Sequence, residues 1–302
     1  MFNFQLIIQK FFNHIWQSEN FYDVFTLDEN AKIVTFVNNK ERYCIKKITN
    51  QSTKEFNHVL LKLNELSDSI YQLVRNNNGE YISLVDNESF IIYKFVLGKR
   101  LSASDSINPS VASVIASLHN SMMSILPESI TPNLVNDYNL FCDKSKSNLD
   151  FFSERNKFAN IFLSEVDMSQ LRPCYIHGDL YNKNVIISNE SAVFIDFDNL
   201  KVYFHGYEVM RYFFISNLYS VEKFKCLLLK NISFFKTYTN ICPTDLCLSF
   251  KLYLFTLCCE FRTEQLAMES NSRELSYFSM QRALLRRELL VRSREISLLL
   301  QQ

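Results

Sequence analysis

The chain has 302 residues, with 32 Lys plus Arg against 32 Asp plus Glu, so no global field favours nucleic acid or an anionic membrane surface. This length allows one large domain or two lobes, and with only 4 glycines and 5 prolines no flexible linker or low-complexity segment separates them. Its 8 cysteines form no C-x-x-C pair and most lie in apolar runs, as reduced core side chains do. No apolar run approaches the roughly 20 residues of a transmembrane helix. A soluble, cytoplasmic protein is therefore expected, with no nucleic-acid or membrane partner.

At the N-terminus Phe4, Ile7, Ile8, Phe11, Phe12 and Ile15 recur at three and four residues, which predicts an amphipathic helix over 1–18. Lys10 and His14 interrupt its apolar face and no small-residue cleavage site follows, unlike a signal peptide. Three β-rich runs, 21–27, 32–37 and 42–48, with turns at Asp28-Glu29-Asn30 and Asn38-Asn39, read as an antiparallel meander. Alternation along the third run places Cys44 and Lys46 on one face and Lys47 on the other.

Phe56, Val59, Leu60, Leu63 and Leu66 give a helix over 51–66. It is headed by Ser52-Thr53-Lys54-Glu55, a capping box in which Glu55 serves the first backbone N–H groups. Strands over 70–75, 81–85 and 90–96 come next, with turns at Asn78-Gly79 and Asp86-Asn87, and Gly98 ends the last of them. Beyond residue 100 the pattern turns helical over 109–123, 133–149 and 154–163, and again from Tyr207 and over 221–237, 244–269 and 273–300. Glu260, Glu264 and Glu269 read as a solvated helix face, with contact to a cationic substrate as the alternative. Arg282, Arg286, Arg287, Arg292 and Arg294, interleaved with Glu288 and Glu295, read the same way.

Between these helices lies the stretch CYIHGDLYNKNVIISNESAVFIDFDN, residues 174–199. Val185-Ile186-Ile187, the turn SNES and Ala192-Val193-Phe194-Ile195 read as a β-hairpin. A hairpin brings its ends together, so Asn184 before it and Asp196 after it become neighbours. A hard cation such as Mg2+ takes a few such oxygen ligands and keeps its other positions for water and phosphate. Asp179, outside the pair, is left to hold a hydroxyl in line for attack.

HGDLYNKN followed by FIDFDN resembles the aminoglycoside phosphotransferase and choline kinase family, small-molecule relatives of protein kinases with an Asp-x-x-x-x-Asn catalytic loop. The resemblance spans about residues 21–220, with specific motifs between 177 and 198. It implies an α+β, bilobal, protein-kinase-like fold. A small antiparallel β-sheet N-lobe with one main helix (1–97) would bind nucleotide, and a larger, mostly helical C-lobe (98–302) would carry catalysis and substrate binding.

Residue by residue, the resemblance implies Asp179 as the group that orients the acceptor and accepts its proton, and His177 as a brace of the loop. It implies Asn184 and Asp196 as ligands of Mg2+, with Asp198 adding to the metal or substrate shell. Tyr43-Cys44-Ile45-Lys46 is comparable to the V-A-I-K of kinases, which makes Lys46 the phosphate-binding lysine and Lys47 the runner-up. Glu55 would pair with Lys46, or only cap its helix. Phe95-Val96-Leu97-Gly98 resembles the interlobe segment that binds adenine, with Gly98 at the hinge or merely ending a strand. Leu118-His119 matches a pair in the second-lobe core helix, His119 being a packing residue rather than a catalyst. Tyr207-Glu208-Val209-Met210 resembles the family's YDLA, with Glu208 where an aspartate braces the catalytic loop. The loop over the phosphates often carries glycine in the family; 21–37 has none, and Asn30 stands near the family's asparagine there.

The resulting expectation is an ATP- and Mg2+-dependent kinase, GTP not excluded, acting on a hydroxyl of an aminoglycoside-like antibiotic, amino sugar or amino alcohol, as a monomer or homodimer. A protein kinase is the alternative, but Asp196-Phe197-Asp198 stands where Asp-Phe-Gly would be and no Ala-Pro-Glu is present beyond it. A non-catalytic member of the same fold, either a nucleotide-binding module or a scaffold that binds none, is the third reading.

Overall fold

A computed structural model describes residues 10, 22–26, 33–38, 41–48, 53–85, 88–125, 127, 132–145, 149–188, 191–216, 229, 231–260 and 272–301. Asn30, Glu264, Glu269, the turn at Asp86-Asn87 and all of the predicted 1–18 helix except Lys10 lie outside them. The chain divides into two units, residues 1–101 with 183–200, and 102–182 with 201–302.

In the first unit the strands are β1 (Tyr22–Thr26), β2 (Ile33–Asn38), β3 (Glu41–Ile48), β4 (Leu73–Val74), β5 (Ile82–Val85) and β6 (Glu88–Lys94). Their order is β1-β2-β3-β6-β4, β5 also pairs with β6, and every pairing is antiparallel. Phe36, Ile45, Phe90, Ile91 and Ile92 are fully buried. The helix α1 (Thr53–Leu66) turns Phe56, Val59, Leu60 and Leu63 inward at the expected spacing. Two of its asparagines anchor the backbone at β4 and just before β5: Asn64 Oδ1 accepts the Leu73 N–H and Asn57 Oδ1 accepts the Tyr81 N–H. The strand expected over 70–75 shrinks to two residues, and Ile70 instead makes a single bridge to Phe194.

The hairpin of the 174–199 stretch is present as β9 (Val185–Ser188) and β10 (Ser191–Phe194), in the register Val185↔Phe194 to Ser188↔Ser191. A strand the pattern did not reveal, β7 (Lys99–Arg100), pairs with β9. Gly98 is required by this pairing, since a Cβ there would lie 2.2 Å from the Ile187 carbonyl oxygen. Because backbone cannot yield as a flexible side chain would, Gly98→Ala is expected to cost about 1–3 kcal/mol, as other overpacking does. A drop in Tm of several degrees is the check.

In the second unit, the helices are α2 (Pro109–Ser124), α3 (Leu134–Ser145), α4 (Leu149–Glu165), α5 (His205–Ser216), α6 (Ile232–Ile241), α7 (Leu246–Cys259), α8 (Arg273–Val291) and α9 (Ser293–Leu300). Local chemistry sets their starts: Asn108 caps α2 with Pro109 behind it, Asp245 caps α7 and Ser272 caps α8. A short antiparallel ribbon pairs β8 (Cys174–Ile176) with β11 (Lys201–Tyr203). The core is aromatic: Tyr212, Phe213, Phe214, Phe234, Phe235, Phe250 and Tyr253 are all buried, with Tyr212 stacked on Phe234 and Phe214 on Tyr253. Among the described residues, no single helix is long and apolar enough to cross a membrane.

Three expectations from the sequence do not hold in this unit. The helix read over 273–300 breaks at Arg292 into α8 and α9. Arg282 and Arg286 are buried rather than on a solvated face, and Glu260 is bound rather than solvated: Arg282 holds both its carboxylate oxygens, at 2.6 and 3.2 Å. Burial would raise the Glu260 pKa, but the charge and hydrogen bonds of Arg282, with Arg211 and Lys201 beyond, bring it down to about 2. A carboxyl depressed in the folded state contributes stability above its unfolded value near 4.5, and that contribution is lost as pH falls toward 2. Glu260→Gln should therefore flatten the fall of Tm across that acid window and lower Tm at neutral pH.

Candidate active site

In the sheet unit, Lys46 reaches from the middle of β3 into buried surroundings, 5% exposed. Its ammonium lies 2.5 Å from Asp196 Oδ1 and 2.8 Å from Asp198 Oδ1. Lys47, pointing the other way, pairs with Glu88. Both aspartates come after β10. Asp196 has φ 69°, the one non-glycine residue in the left-handed region among those described, and a short 3-10 turn, Phe197–Asn199, brings Asp198 back to the same ammonium. Aspartate tolerates that backbone region better than most residues, and strain held there is a frequent mark of function.

Asn184 is buried at the same open end of the hairpin, where its backbone carbonyl accepts the Ile195 N–H at 3.0 Å. The sheet pairing thus carries Asn184 to the residue preceding Asp196. The two carboxylates supply hard oxygens, and the strand pairing puts the Asn184 backbone next to them. With Lys46 between them the carboxylates keep a net charge of about −1, so the set suits a hard divalent cation that retains water and phosphate ligands. Among the described residues no group of three or more His, Cys, Asp or Glu is placed to hold a metal, so a metal here would rest on this smaller set. Tyr71 packs edge-on against Phe197; burial first, then Asp198 and Asp196, push its hydroxyl well above the usual range, so it stays neutral beside them. Glu55 is half-buried in the first turn of α1, while the ion pairs of Lys46 are with Asp196 and Asp198.

In the helical unit, the loop after β8 turns sharply at Gly178, whose φ of 79° suits a residue without a Cβ. His177 is fully buried, and its Nδ1 accepts the Asp179 N–H at 3.4 Å. Glu208 reaches the loop from α5 and accepts two backbone N–H groups, from His177 at 2.9 Å and Gly178 at 2.6 Å. His119 Nε2 lies 3.1 Å from Glu208 Oε2, and its Nδ1 is 2.6 Å from the Tyr238 hydroxyl. The Glu208 carboxyl is completely buried, which alone would raise its pKa; the hydrogen bond and charge of His119, the charge of His177 and the Gly178 N–H outweigh this and hold it below the usual range. The extra methylene relative to aspartate is no obstacle to the double contact.

Asp179 itself is gripped at Oδ1 by Arg211 at 2.7 Å. Neither Arg211 nor Tyr238 is singled out by sequence reasoning. Arg211 could have been found, because it stands three residues after Glu208 on the same face of one helix; Tyr238, 30 residues further on, carries no such signal.

No match appears among curated protein sequences. Solved structures share the fold at low identity. The microcompartment-associated aminopropanol kinase is 16% identical with a TM-score of 0.67, covering 98% of both chains. An amicoumacin kinase in complex with AMP-PNP and Ca2+ is 13% identical with a TM-score of 0.66, covering 95% of this chain and 94% of that one. An aminoglycoside phosphotransferase from Alicyclobacillus acidocaldarius is 12% identical with a TM-score of 0.65, covering 91% and 93%. The fold is therefore protein-kinase-like, with an antiparallel sheet unit and a larger, mostly helical one. A sequence model described as the phosphotransferase enzyme family matches residues 35–222, well over half of the chain, and the protein belongs to that family of enzymes.

Proposed function

We propose that the protein is an ATP- and Mg2+-dependent kinase that phosphorylates a hydroxyl of a small molecule such as an amino alcohol, an amino sugar or an aminoglycoside-like antibiotic, with GTP as an alternative donor. The observation that carries this reading is the convergence of Lys46, Asp196 and Asp198, with Asn184 beside them, at the open end of one hairpin. A nucleotide polyphosphate with its cation is the ligand such a set suits. Solved structures of the same fold are complexes with AMP-PNP and Ca2+, or with GDP and kanamycin, which supports the use of a nucleotide and a divalent cation.

In this reading the sheet unit binds nucleotide and the helical unit carries catalysis and the acceptor. Lys46 leaves its carboxylates to hold the α- and β-phosphates, and Glu55 takes up the ammonium as its partner. Asn184, Asp196 and Asp198 hold Mg2+, which when bound neutralises charge on the phosphate oxygens. The resemblance gives Asn30, outside the described residues, to the phosphates, and Gly98 to the segment along the base. His177 and Glu208 fix the turn so that Asp179 aligns the acceptor hydroxyl and receives its proton as the oxygen attacks.

The test is Mg2+-dependent release of ADP or GDP against a panel of amino alcohols, amino sugars and aminoglycosides. Turnover that depends on Asp179 is expected with at least one acceptor, and none across a broad panel would overturn the reading. Thermal shift separates it from a non-binding scaffold, since Mg–ATP at 100 times Kd should stabilise the fold by about 2.7 kcal/mol.

A further inference from the structure

We propose that Arg211 is a positioning residue for phosphoryl transfer, holding the Asp179 carboxylate as an aligned anion; this rests on the reading of Asp179 as the group that receives the acceptor's proton. The guanidinium uses two nitrogens on one stretch of loop: one donates to the Leu180 carbonyl at 3.2 Å and the other to Asp179 Oδ1 at 2.7 Å. Because one bond goes to backbone, the other fixes the carboxylate's orientation relative to that backbone, a constraint that a lysine's single rotatable point charge does not impose.

The helix makes this a two-handed grip. Glu208 and Arg211 are one turn apart on α5, so both project from one face. The carboxylate holds the N–H groups of His177 and Gly178, and the guanidinium holds the carbonyl of Leu180 and the side chain of Asp179. Loop backbone and reacting carboxylate are thus referred to the same rigid element.

Arg211 is also kept charged. Burial disfavours its cation, but Tyr207, Asp179 and Glu260 outweigh that and push its pKa up. Phosphoryl transfer asks more for alignment than for a strong base, and misplacement by about 1 Å can cost about 10²-fold. A permanent cation on Oδ1 is therefore compatible with the reaction and supplies what the reaction most needs.

The test compares wild type with Asp179→Asn, Arg211→Met, Arg211→Lys and the double variant Asp179→Asn/Arg211→Met, reading initial rates of ADP release from Mg–ATP with water as the acceptor. Arg211→Met is expected to lower kcat by about 10²-fold with KM for Mg–ATP little changed, and Arg211→Lys to fall between. In the Asp179→Asn background, Arg211→Met should cost nothing further, because it acts only through Asp179. Multiplying losses, a rise in KM equal to the loss in kcat, or a wild-type rate in Arg211→Lys would each overturn the inference. Melting curves identify a variant that merely unfolds, and Arg211→Lys, which keeps the charge, then decides alone. If Asp179→Asn itself has no effect, the reading of Asp179 fails and the inference with it; if Asp179→Asn acts and neither Arg211 variant does, only the inference fails.

Discussion

Replacing Asp179 by Asn is expected to lower turnover by about 10²–10⁴-fold, the usual worth of a positioned general base, while Mg–ATP affinity stays nearly unchanged. The substitution is isosteric, and an amide oxygen still accepts the Arg211 N–H that Asp179 Oδ1 takes at 2.7 Å. What disappears is the capacity to receive a proton. The turn stays in place because its restraints lie elsewhere, in the Gly178 backbone and the two N–H bonds to Glu208. Titration calorimetry with a non-hydrolysable ATP analogue and Mg2+, beside steady-state kinetics, separates the two quantities. A loss of nucleotide affinity that matches the loss of turnover would show that Asp179 serves the nucleotide rather than the acceptor.

The sheet unit was largely legible because its signals are local. Apolar runs of four to eight residues between Asn, Asp and Gly turns predicted β2, β3, β5 and β6, and the spacing of Phe56, Val59, Leu60 and Leu63 predicted α1. What escaped were elements that exist only through a distant partner. Lys99–Arg100 has no strand pattern of its own and becomes β7 only against β9; Cys174–Ile176 needs Lys201–Tyr203 in the same way. The charged C-terminal helices misled for a related reason. Alternating Arg and Glu reads as a solvated face, yet Arg282 and Arg286 are buried, Arg282 with Glu260 as its counter-charge.

In the site, whatever depended on spacing along the chain could be read, and whatever depended on helix packing could not. The pairing of Ser188 with Ser191 fixes the register that carries Asn184 beside Ile195, so the neighbourhood of Asn184 and Asp196 follows from the hairpin pattern. For Arg211 the one signal is its place a turn after Glu208; the helix pattern by itself does not say that this face meets a loop contributed 32 positions earlier. The bridge from Lys46 to Asp196, 150 positions further on, and to Asp198 was not foreseen: the likeness of Tyr43-Cys44-Ile45-Lys46 to a kinase strand marks Lys46 for phosphate, with Glu55 as its partner.

Asp196→Asn should behave differently from Asp179→Asn, weakening Mg–ATP binding by about 10–100-fold and lowering turnover as well. Asparagine is the informative substitution because, like aspartate, it tolerates the left-handed backbone that Asp196 adopts at φ 69°, so the 3-10 turn carrying Asp198 is kept. The carboxylate charge is what changes. Lys46, now facing Asp198 at 2.8 Å and a neutral amide, would leave the triad with no net negative charge. A charge-assisted contact is worth about 1.5–3 kcal/mol, which sets the expected loss of affinity for a cation that must bridge protein and phosphates. Raising Mg2+ should recover part of the binding, whereas no concentration of Mg2+ should restore Asp179→Asn. Equal responses of the two variants to Mg2+ would show that Asp196 is only the structural counter-ion of Lys46 and that the cation is held by other groups.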